Sequence, residues 1–397
     1  MTLPLQGIRV LELARTVAGP FCSMTLADMG AEVIKIEEPG RGDDVRYLAP
    51  QVDGVSSVFA LVNRNKRSVT LDLRLEESQC VLHELVKSCD IVAENFSTGV
   101  VDKYNLSYEV LSSINPRLIY CSVSGYGRQG EFARRPGFDP VVQADAGLFS
   151  INGAADGPPT RIAAPIVDVG SGMSALNAIL AALYTREKTG RGQYVEVALF
   201  DVAVALSSYF AMNYLMTGSS PNRLGNDSST SQPVGLFSAS NGTFYLSCSN
   251  DRSFRKLAAC IDAPALVDDP RFATNADRCA NGDALREELA AIFNTMDCDT
   301  IVGEMLTAGV PVGRTFTIGE ALESPVARSR GTVSNAVRAN GRPVPNVKAP
   351  FDLHGTPLLA PKACPELGEA NQWFLDEILG CDEARAAELA AAGVFGQ

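Results

Sequence analysis

Residues 8–36 read IRVLELARTVAGPFCSMTLADMGAEVIKI, and this pattern predicts a β-α-β unit. The apolar run at 8–13 is typical of a buried strand. Pro20 suits the first turn of a helix, and Gly30 is expected to end that helix. A second strand follows at 31–36. Two strands joined in this way are expected to pair in parallel, with a right-handed crossover.

The same alternation continues along the chain and predicts an α/β fold. Further strands are expected at 68–73, 91–96, 118–123 and 194–199, and helices at 78–87 and 171–188. This order favours a doubly wound, Rossmann-like large domain. Shorter strands at 235–238 and 244–249, with helices at 253–261, 284–296 and 298–306, predict a smaller α+β domain. We therefore expect the large domain to begin with 1–205, a linker and small domain at 206–325, and a return linker and the C-terminal part of the large domain at 326–397.

Composition narrows the classes of function. The net charge of −12 and pI of about 4.8 argue against broad nucleic-acid binding, which needs a basic surface. No segment is expected to supply the roughly 18 apolar residues that a membrane span needs, and residues 2–7 lack the features of a secretory signal. The ten cysteines contain no C-x-x-C pair, so we expect reduced thiols. A cytoplasmic protein with no membrane partner is the expectation.

Histidine scarcity counts against several kinds of active site. The only histidines, His83 and His354, stand apart from nucleophiles and from clusters of metal ligands. A Ser-His-Asp hydrolase and a histidine-based metal site are therefore disfavoured, and no metal is predicted. The G-x-G-x-x-G fingerprint is missing after the first strand, which argues against a nicotinamide-dependent oxidoreductase.

Asp168 is the main candidate for chemistry. It lies in the segment PIVDVGSG at 165–172, between an apolar run and a long apolar helical pattern. A carboxylate there can cap the helix by accepting from backbone N–H groups. It can also attack a substrate, with glycines letting that substrate approach closely. The segment alone leaves both roles open.

Two other regions carry charge in unusual density. Four cations, Arg64, Lys66, Arg67 and Arg74, fall within eleven residues of an acidic chain. They indicate either a solvated face or recognition of a polyanion such as a nucleotide phosphate. A second set, at 134–139, combines two arginines with Asp139, which is expected either to cap the following helix or to meet a ligand.

Together these segments resemble the family III CoA-transferases, the group that includes formyl-CoA transferase, carnitine CoA-transferase and acetyl-CoA:oxalate CoA-transferase. The resemblance covers nearly the whole chain. It is carried, in order, by VAGP at 17–20, GAEVIKIE at 30–37, NKRS at 65–68, ENF at 94–96, INPRLI at 114–119, SGYG at 124–127 and REKTGRGQ at 186–193. It implies a homodimer of two interlocked chains.

The resemblance also implies roles for individual residues. Asp168 would be the nucleophile, forming an acyl anhydride and then an aspartyl-CoA thioester. Coenzyme A would lie along the segments that contain Val17, Ala18, Leu71, Asp72, Leu73, Arg74, Asn95, Phe96, Lys103, Arg135, Gly137 and Phe138. We expect Asp168 to be ionised at neutral pH because an ordinary aspartate has a pKa of about 3.9, helped by the helix N-terminus. Backbone N–H groups of a turn at 170–172 are the expected oxyanion donors.

Two alternatives remain beside the transferase. An α-methylacyl-CoA racemase of similar type uses histidine in a Gly-His-Asp segment, whereas this chain has Phe138 before Asp139. A non-catalytic CoA-binding subunit would have no need of Asp168. The chain also departs from the family pattern at Ser97-Thr98, at Lys103 in place of a common arginine, and in the polar loop at 226–233.

The substrates follow from the resemblance only as a class. We expect a succinyl-CoA or acetyl-CoA donor and a small carboxylic or dicarboxylic acid acceptor. Arg134, Arg135 and the polar loop at 228–232 would suit a second carboxylate.

Overall fold

The computed structural model describes residues 2–338 and 341–396, which form two compact units. The first unit takes in the chain up to Leu148, Arg161–Ser219 and the residues from Ser329 onward. The second takes in Phe149–Thr160 and Ser220–Arg328. Residues 149–160, which the sequence division places in the large domain, thus belong to the second unit.

The strands are short. They are β1 Arg9–Glu12, β2 Glu32–Glu37, β3 Gln51–Val52, β4 Val55–Ser56, β5 Arg67–Thr70, β6 Ile91–Glu94, β7 Ile119–Ser124, β8 Tyr194–Ala198, β9 Val234–Ala239, β10 Gly242–Ser247, β11 Val312–Arg314, β12 Val333–Val337 and β13 Pro343–Val347.

The helices alternate with these strands in the first half of the chain. They are α1 Ala18–Asp28, α2 Ser57–Asn63, α3 Glu76–Val86, α4 Val100–Lys103, α5 Tyr108–Ile114, α6 Asp139–Asp145, α7 Leu148–Ile151, α8 Ile166–Thr189, α9 Leu199–Leu206, α10 Tyr209–Thr217, α11 Asp251–Cys260, α12 Ala265–Asp268, α13 Asn275–Ala280, α14 Gly282–Phe293, α15 Cys298–Thr307, α16 Ile318–Leu322, α17 Pro325–Arg330, α18 Asn371–Trp373 and α19 Glu383–Ala391. A 3-10 helix spans Asp44–Tyr47, and a π-helical turn spans Phe374–Ile378.

A six-stranded parallel sheet organises the first unit. Its strand order is β5-β2-β1-β6-β7-β8. Counted along the chain, this is the order 3-2-1-4-5-6 of dinucleotide-binding folds, in which ligands bind beyond the carboxyl ends of the strands. The predicted α/β fold with a parallel central sheet is confirmed.

The two faces of the sheet differ in chemistry. Side chains alternate between faces along a strand, and Leu11, Ile34 and Val69 share one face, in a core with residues of α3 and α5. The opposite face carries Glu12 and Lys35, both fully buried. A parallel sheet is covered on both faces, so these charges need partners inside the protein.

Ion pairs supply those partners. The Nζ atom of Lys35 lies 3.3 Å from Glu12 Oε1 and 2.9 Å from Asp43 Oδ2, and Lys66 Nζ lies 2.8 Å from Glu12 Oε2. Lys35 also donates to the Ala14 carbonyl at 2.8 Å, and Lys66 to the Pro20 carbonyl at 3.0 Å. This buried ionic cluster therefore fixes both ends of the segment between β1 and the first turn of α1.

Two cations of the segment at 64–74, Arg64 and Lys66, are buried and structural, which corrects both interpretations for these two, whereas Arg67 and Arg74 are exposed. Arg64 is buried and forms a fork with Asp28, and Lys66 belongs to the buried ionic cluster. Arg67 stacks over the Trp373 ring at 4.0 Å, and Arg74 pairs with Asp72 at 2.8 Å. Spacing alone could not show this, because Glu12 and Asp28 lie far away in sequence.

Helix α8 is apolar enough, over 24 residues, to cross a membrane by length and composition, contrary to the sequence prediction. Helices α9 and α10 meet the same criterion only together, and they are bent by 81° at the break between them. Nine residues of α8, including Val167, Ala175 and Ile179, are buried inside the protein. That burial is typical of a core helix.

The C-terminal segment covers the edge strand β5. The Thr70 N–H donates to Asn371 Oδ1 at 2.9 Å, and the Thr70 hydroxyl donates to the Phe395 carbonyl at 2.9 Å. The Asp72 N–H donates to the Val394 carbonyl at 3.0 Å. Unpaired edge groups of the sheet are thereby satisfied.

The second unit contains an antiparallel sheet of order β11-β10-β9 and the helices α11–α15. Its core is built around the ring cluster Phe237, Phe244 and Phe293. The polar loop before β9 is closed on itself, since Gln232 Nε2 donates to Asp227 Oδ1 at 2.5 Å. All ten cysteines lie among the described residues, and each is a free thiol.

Candidate active site

The segments predicted to bind CoA follow the carboxyl ends of strands in the parallel sheet. Strands β1, β5, β6 and β7 lead directly into the segments that contain Val17, Leu71, Asn95 and Arg135. Because the strands are parallel, their carboxyl ends all lie at the same end of the sheet. Residues far apart in sequence are thus brought to one side of the unit.

A cavity of about 240 Å³ opens at the carboxyl ends of these strands. Of the predicted CoA contacts, it brings together Leu71–Arg74 and Phe96. The other lining residues are Arg15, Ile36, Glu37, Glu38, Val100 and Tyr104. Two larger cavities of about 460 Å³ lie elsewhere in the first unit and contain none of the predicted site residues.

Arg15 is a lining residue that the sequence reading did not identify. Its backbone is held by Asn95, which accepts from the Arg15 N–H at 2.8 Å and donates to the Arg15 carbonyl at 2.8 Å. The Arg15 guanidinium lies 5.6 Å from the centroid of the Phe96 ring. Both polar atoms of the Asn95 side-chain amide are therefore occupied by the Arg15 backbone. The sequence signal that could have identified Arg15 was its position shortly after β1, where it is the one cation between that strand and Pro20.

The remaining predicted contacts do not line this cavity. Val17 and Ala18 are buried at the start of α1. Lys103 is exposed on α4, and its ammonium lies 5.4 Å from the Tyr104 ring centroid, so it stands one residue from the cavity wall.

The loop at 125–138, which follows the carboxyl end of β7, contains a second group of predicted CoA contacts. Gly125 and Gly137 touch backbone to backbone, so a Cβ on Gly125 would lie 2.9 Å from Gly137 Cα. Arg135 pairs with Asp145 at 2.5 Å and stacks over Tyr126. Phe138 leaves 66% of its surface exposed.

Arg128 joins this loop to the segment after β6. Its guanidinium donates to both carboxylate oxygens of buried Glu94, at 2.9 and 3.1 Å, and to the Phe96 carbonyl at 2.7 Å. Its Nε donates to the Ser122 hydroxyl at 2.7 Å. Burial raises the pKa of Glu94, and the Arg128 charge opposes that rise. Arg128 thus holds together two of the predicted CoA-binding segments.

Asp168 lies inside a helix, not before one. Helix α8 begins at Ile166, so Asp168 is its third residue, and Gly170 and Gly172 are helical. Backbone N–H groups within an α-helix bond to carbonyls one turn earlier. The expectation that N–H groups of a turn at 170–172 would hold an oxyanion is therefore wrong.

The cap of helix α8 comes from Asp139. Its Oδ2 accepts from the N–H groups of Val167 at 2.7 Å and Asp168 at 3.0 Å, and its Oδ1 accepts from Gln143 at 2.5 Å. Asp139 is the first residue of α6, so it caps a different helix from the one that follows it in sequence. Among residues 2–338 and 341–396, nothing donates a hydrogen bond to the Asp168 carboxylate, which is left available for chemistry.

This arrangement changes the acidity of Asp168. Burial, and then the negative charge of Asp139, raise the pKa of Asp168 to about 7. The expectation of an ordinary, fully ionised aspartate is wrong for the free protein. The N–H groups of Val167 and Asp168 do not hydrogen-bond the Asp168 anion, because Asp139 already occupies them.

Comparison with known proteins identifies the family of this chain. The chain matches CoA-transferase family III over residues 5–371. It is 39% identical to acetyl-CoA:oxalate CoA-transferase of Acetobacter aceti, over 86% of this chain and 88% of that protein. It is 37% identical to succinate–glutarate CoA-transferase of Agrobacterium fabrum, over 94% and 96%.

The fold has a close counterpart among solved structures. A CAIB/BAIF family protein from Brucella suis superposes with a TM-score of 0.87 at 37% identity, covering 95% of this chain and 100% of that one. The family match and the relatives span most of the chain. The protein belongs to the family III CoA-transferases and is a CoA-transferase enzyme.

Proposed function

We propose that this enzyme moves CoA from succinyl-CoA or acetyl-CoA to a short dicarboxylic acid, with Asp168 as the covalent nucleophile. The observation that carries the proposal is the Asp168 carboxylate itself. It stands at the start of α8, and no hydrogen bond from the described residues holds it, since Asp139 caps the helix. A structural aspartate in this place would serve as the cap.

The first half-reaction loads the enzyme. An Asp168 oxygen attacks the thioester carbonyl carbon, a C–O bond forms, and the C–S bond breaks to release the CoA thiolate. The thiolate then attacks the Asp168 carbonyl carbon of the anhydride, and the donor acid leaves as a carboxylate with the electron pair. An aspartyl-CoA thioester remains.

The second half-reaction repeats these steps in reverse order. The acceptor carboxylate attacks the aspartyl thioester and displaces the thiolate, which gives a new anhydride. The thiolate attacks the acceptor carbonyl, and Asp168 leaves as the free carboxylate. No oxidant, base or water is consumed, so the energy of the thioester passes to the new acyl-CoA.

The cavity at the carboxyl ends of the strands supports binding of the nucleotide end of CoA there. Leu71, Leu73 and Phe96 provide apolar walls, and Arg15 provides positive charge. Within the described part of the chain, no carboxylate lies at salt-bridge distance from Arg15, whereas Arg74 is already paired with Asp72. Arg15 is therefore the better candidate for a phosphate contact.

The acceptor class is supported by the names of the two relatives, which refer to oxalate and glutarate, both dicarboxylates. Arg134 is exposed next to Arg135 on the loop at 125–138. A cation there would suit the second carboxylate of such an acid. A screen of donors against mono- and dicarboxylates tests this, and a preference for simple monocarboxylates would contradict it.

A homodimer of interlocked chains, in the cytoplasm, is part of the proposal. Helix α10 has no buried residue, and Leu215 and Met216 leave 72% and 80% of their surfaces exposed. Apolar surface of this extent is typical of an interface. Light scattering on the purified protein would show a monomer if this part is wrong.

Trapping tests the central step. The protein is incubated with succinyl-CoA or acetyl-CoA, treated with hydroxylamine or borohydride, and mapped by mass spectrometry. We expect modification at Asp168 that is lost in Asp168→Ala. An unmodified protein that exchanges the α-proton of a branched acyl-CoA would instead be a racemase.

A further inference from the structure

Ser171 carries a buried hydroxyl without a partner. Its side chain is fully buried, and its Oγ is one of four buried side-chain atoms in residues 2–338 and 341–396 that make no hydrogen bond. Burying an unpaired hydroxyl costs free energy, so such groups need an explanation.

Other hydroxyls of the same helix behave differently. Ser174 donates to the Gly170 carbonyl at 2.8 Å, Thr185 to the Ala181 carbonyl at 2.9 Å, and Thr189 to the Thr185 carbonyl at 3.1 Å. Bonding back to the carbonyl one turn earlier is the usual outcome for Ser and Thr within a helix. Ser171 leaves this bond unmade although it lies in the same regular helix.

The position of Ser171 relates it to Asp168. Residues three apart on a helix are surface neighbours, with about 5–6 Å between their Cβ atoms. Cα–Cβ bonds tilt toward the helix N-terminus, so the Ser171 side chain lies over the turn that carries Asp168. The adjoining Gly172 packs on α1, since a Cβ there would lie 2.7 Å from the Ala18 carbonyl oxygen. The Ser171 hydroxyl therefore lies within one helical turn of Asp168.

The proposed reaction creates a need for a donor at this place. When the CoA thiolate attacks the Asp168 carbonyl carbon of the anhydride, the electron pair of that carbonyl moves onto its oxygen. The N–H groups of Val167 and Asp168 are already taken by Asp139, and those of 170–172 by the helix. A preorganised donor at such an oxygen lowers the barrier.

We propose that the Ser171 hydroxyl donates a hydrogen bond to the Asp168 carbonyl oxygen during formation and breakdown of the aspartyl-CoA thioester. The inference rests on the proposed function. The Ser171 proton stays on its oxygen throughout, and the tetrahedral adduct collapses as the acid carboxylate leaves with the electron pair.

Ser171→Ala, compared with the matched control Ser174→Ala, tests the inference. We expect Ser171→Ala to slow formation of the aspartyl-CoA adduct by roughly 10²-fold, the typical effect of losing one oxyanion donor, with little change in the KM for the acyl-CoA. Its melting temperature should equal or exceed that of the wild type, because an unpaired buried hydroxyl is removed. Ser174→Ala should retain the wild-type rate.

Each other result overturns the inference. A Ser171→Ala rate within a few-fold of the control shows that the hydroxyl takes no part. A melting temperature several degrees below that of Ser174→Ala shows a structural bond instead. A wild-type protein without an adduct at Asp168 overturns the proposed function as well, whereas a labelled wild type with an unaffected Ser171→Ala overturns this inference alone.

Discussion

Two groups of acids in the same unit, one buried and one including the half-buried Asp168, have opposite environments. In the buried ionic cluster, Glu12 and Asp43 are matched by Lys35 and Lys66 at ion-pair distance. At the start of α8, Asp168 faces a second carboxylate, that of Asp139, and no lysine or arginine among the described residues pairs with it. One group anchors a segment, and the other leaves a carboxyl free for a reaction.

The pKa values express this difference. Burial alone would raise the pKa of Glu37, which lies beside the cluster, but hydrogen bonds from Arg46 and the charge of Lys35 lower it to about 2. Burial and Asp139 raise the pKa of Asp168 to about 7. Desolvation is common to both, so the sign of the neighbouring charge decides the outcome. A perturbed carboxyl without a cation is a mark of a functional site.

The largest expected effect is loss of the unpaired acid. Asp168→Asn should lower the transferase rate on the order of 10⁴-fold or more, because it removes the nucleophile. The control is Asp201→Asn, since Asp201 is also the third residue of its helix but is exposed. Steady-state assays with succinyl-CoA measure both. A variant that kept a tenth of the wild-type rate would show that the two groups of acids do not differ in function.

The same variant has a predictable pH dependence of stability. The pKa of Asp168 is raised in the folded state above its unfolded value of about 3.9. Its contribution is therefore fully present below pH 4 and is lost as the pH rises through 7. Asp168→Asn should match the wild type in melting temperature near pH 4 and exceed it at pH 8. A lower melting temperature at pH 8 would contradict the assignment.

Removal of a paired charge from the buried ionic cluster should lower the stability of the fold. Lys66→Met leaves Glu12 short of a partner in the core and should lower the free energy of unfolding by about 3–5 kcal/mol. Urea denaturation measures the change. Arg74→Met is the matched control, since it breaks an exposed pair and should cost far less. Equal losses would show that burial of the pair has no bearing.

A smaller effect is expected at Arg128, which is paired like the cluster but borders the proposed CoA site. Arg128→Lys keeps the charge beside Glu94 and loses the fork and the bond to the Phe96 carbonyl. The KM for acyl-CoA should rise roughly tenfold, or about 1.4 kcal/mol, with a modest change in kcat. Arg117→Lys, on an exposed arginine, is the control.

The smallest effect concerns the second acid of the unpaired group. Asp139→Asn keeps an oxygen for the Val167 and Asp168 N–H groups but removes the charge that raises the pKa of Asp168. The acid limb of the kcat/KM profile, which reports the free enzyme, should move to lower pH. Activity at pH 6 relative to pH 8 should thus increase a few-fold over the wild type and over Asp201→Asn. An unmoved limb would assign the shift to burial alone.

Much of the fold could be predicted because its signals are local. Apolar runs and glycine or proline punctuation located the strands of the parallel sheet within three residues, and the β-α-β pattern predicted that they pair in parallel. The apolar spacing of residues 369–379 favours a single helix. The structure instead has the short helix Asn371–Trp373 followed by a π-helical turn at Phe374–Ile378, and apolar spacing does not distinguish the two.

The chemistry of the site was less predictable because it depends on distant pairs. The segment around Asp168 shows a carboxylate and glycines, but not that Asp139, 29 residues earlier, occupies the N–H groups. The cations at 64–74 looked like a surface patch because Glu12 and Asp28 are remote in sequence. Charge sign and burial of a partner emerge only from the tertiary structure.

Covering of strand β5 by the C-terminal segment has a consequence for how the protein is made. Thr70 bonds to residues that leave the ribosome 301 and 325 positions later. The second unit, most of which is one continuous stretch, emerges before those residues do. The edge strand β5 therefore stays uncovered until the second unit and the C-terminal segment have been synthesised. During synthesis the unpaired backbone groups of β5 are open to pairing with other chains, which is a route to aggregation that chaperones limit.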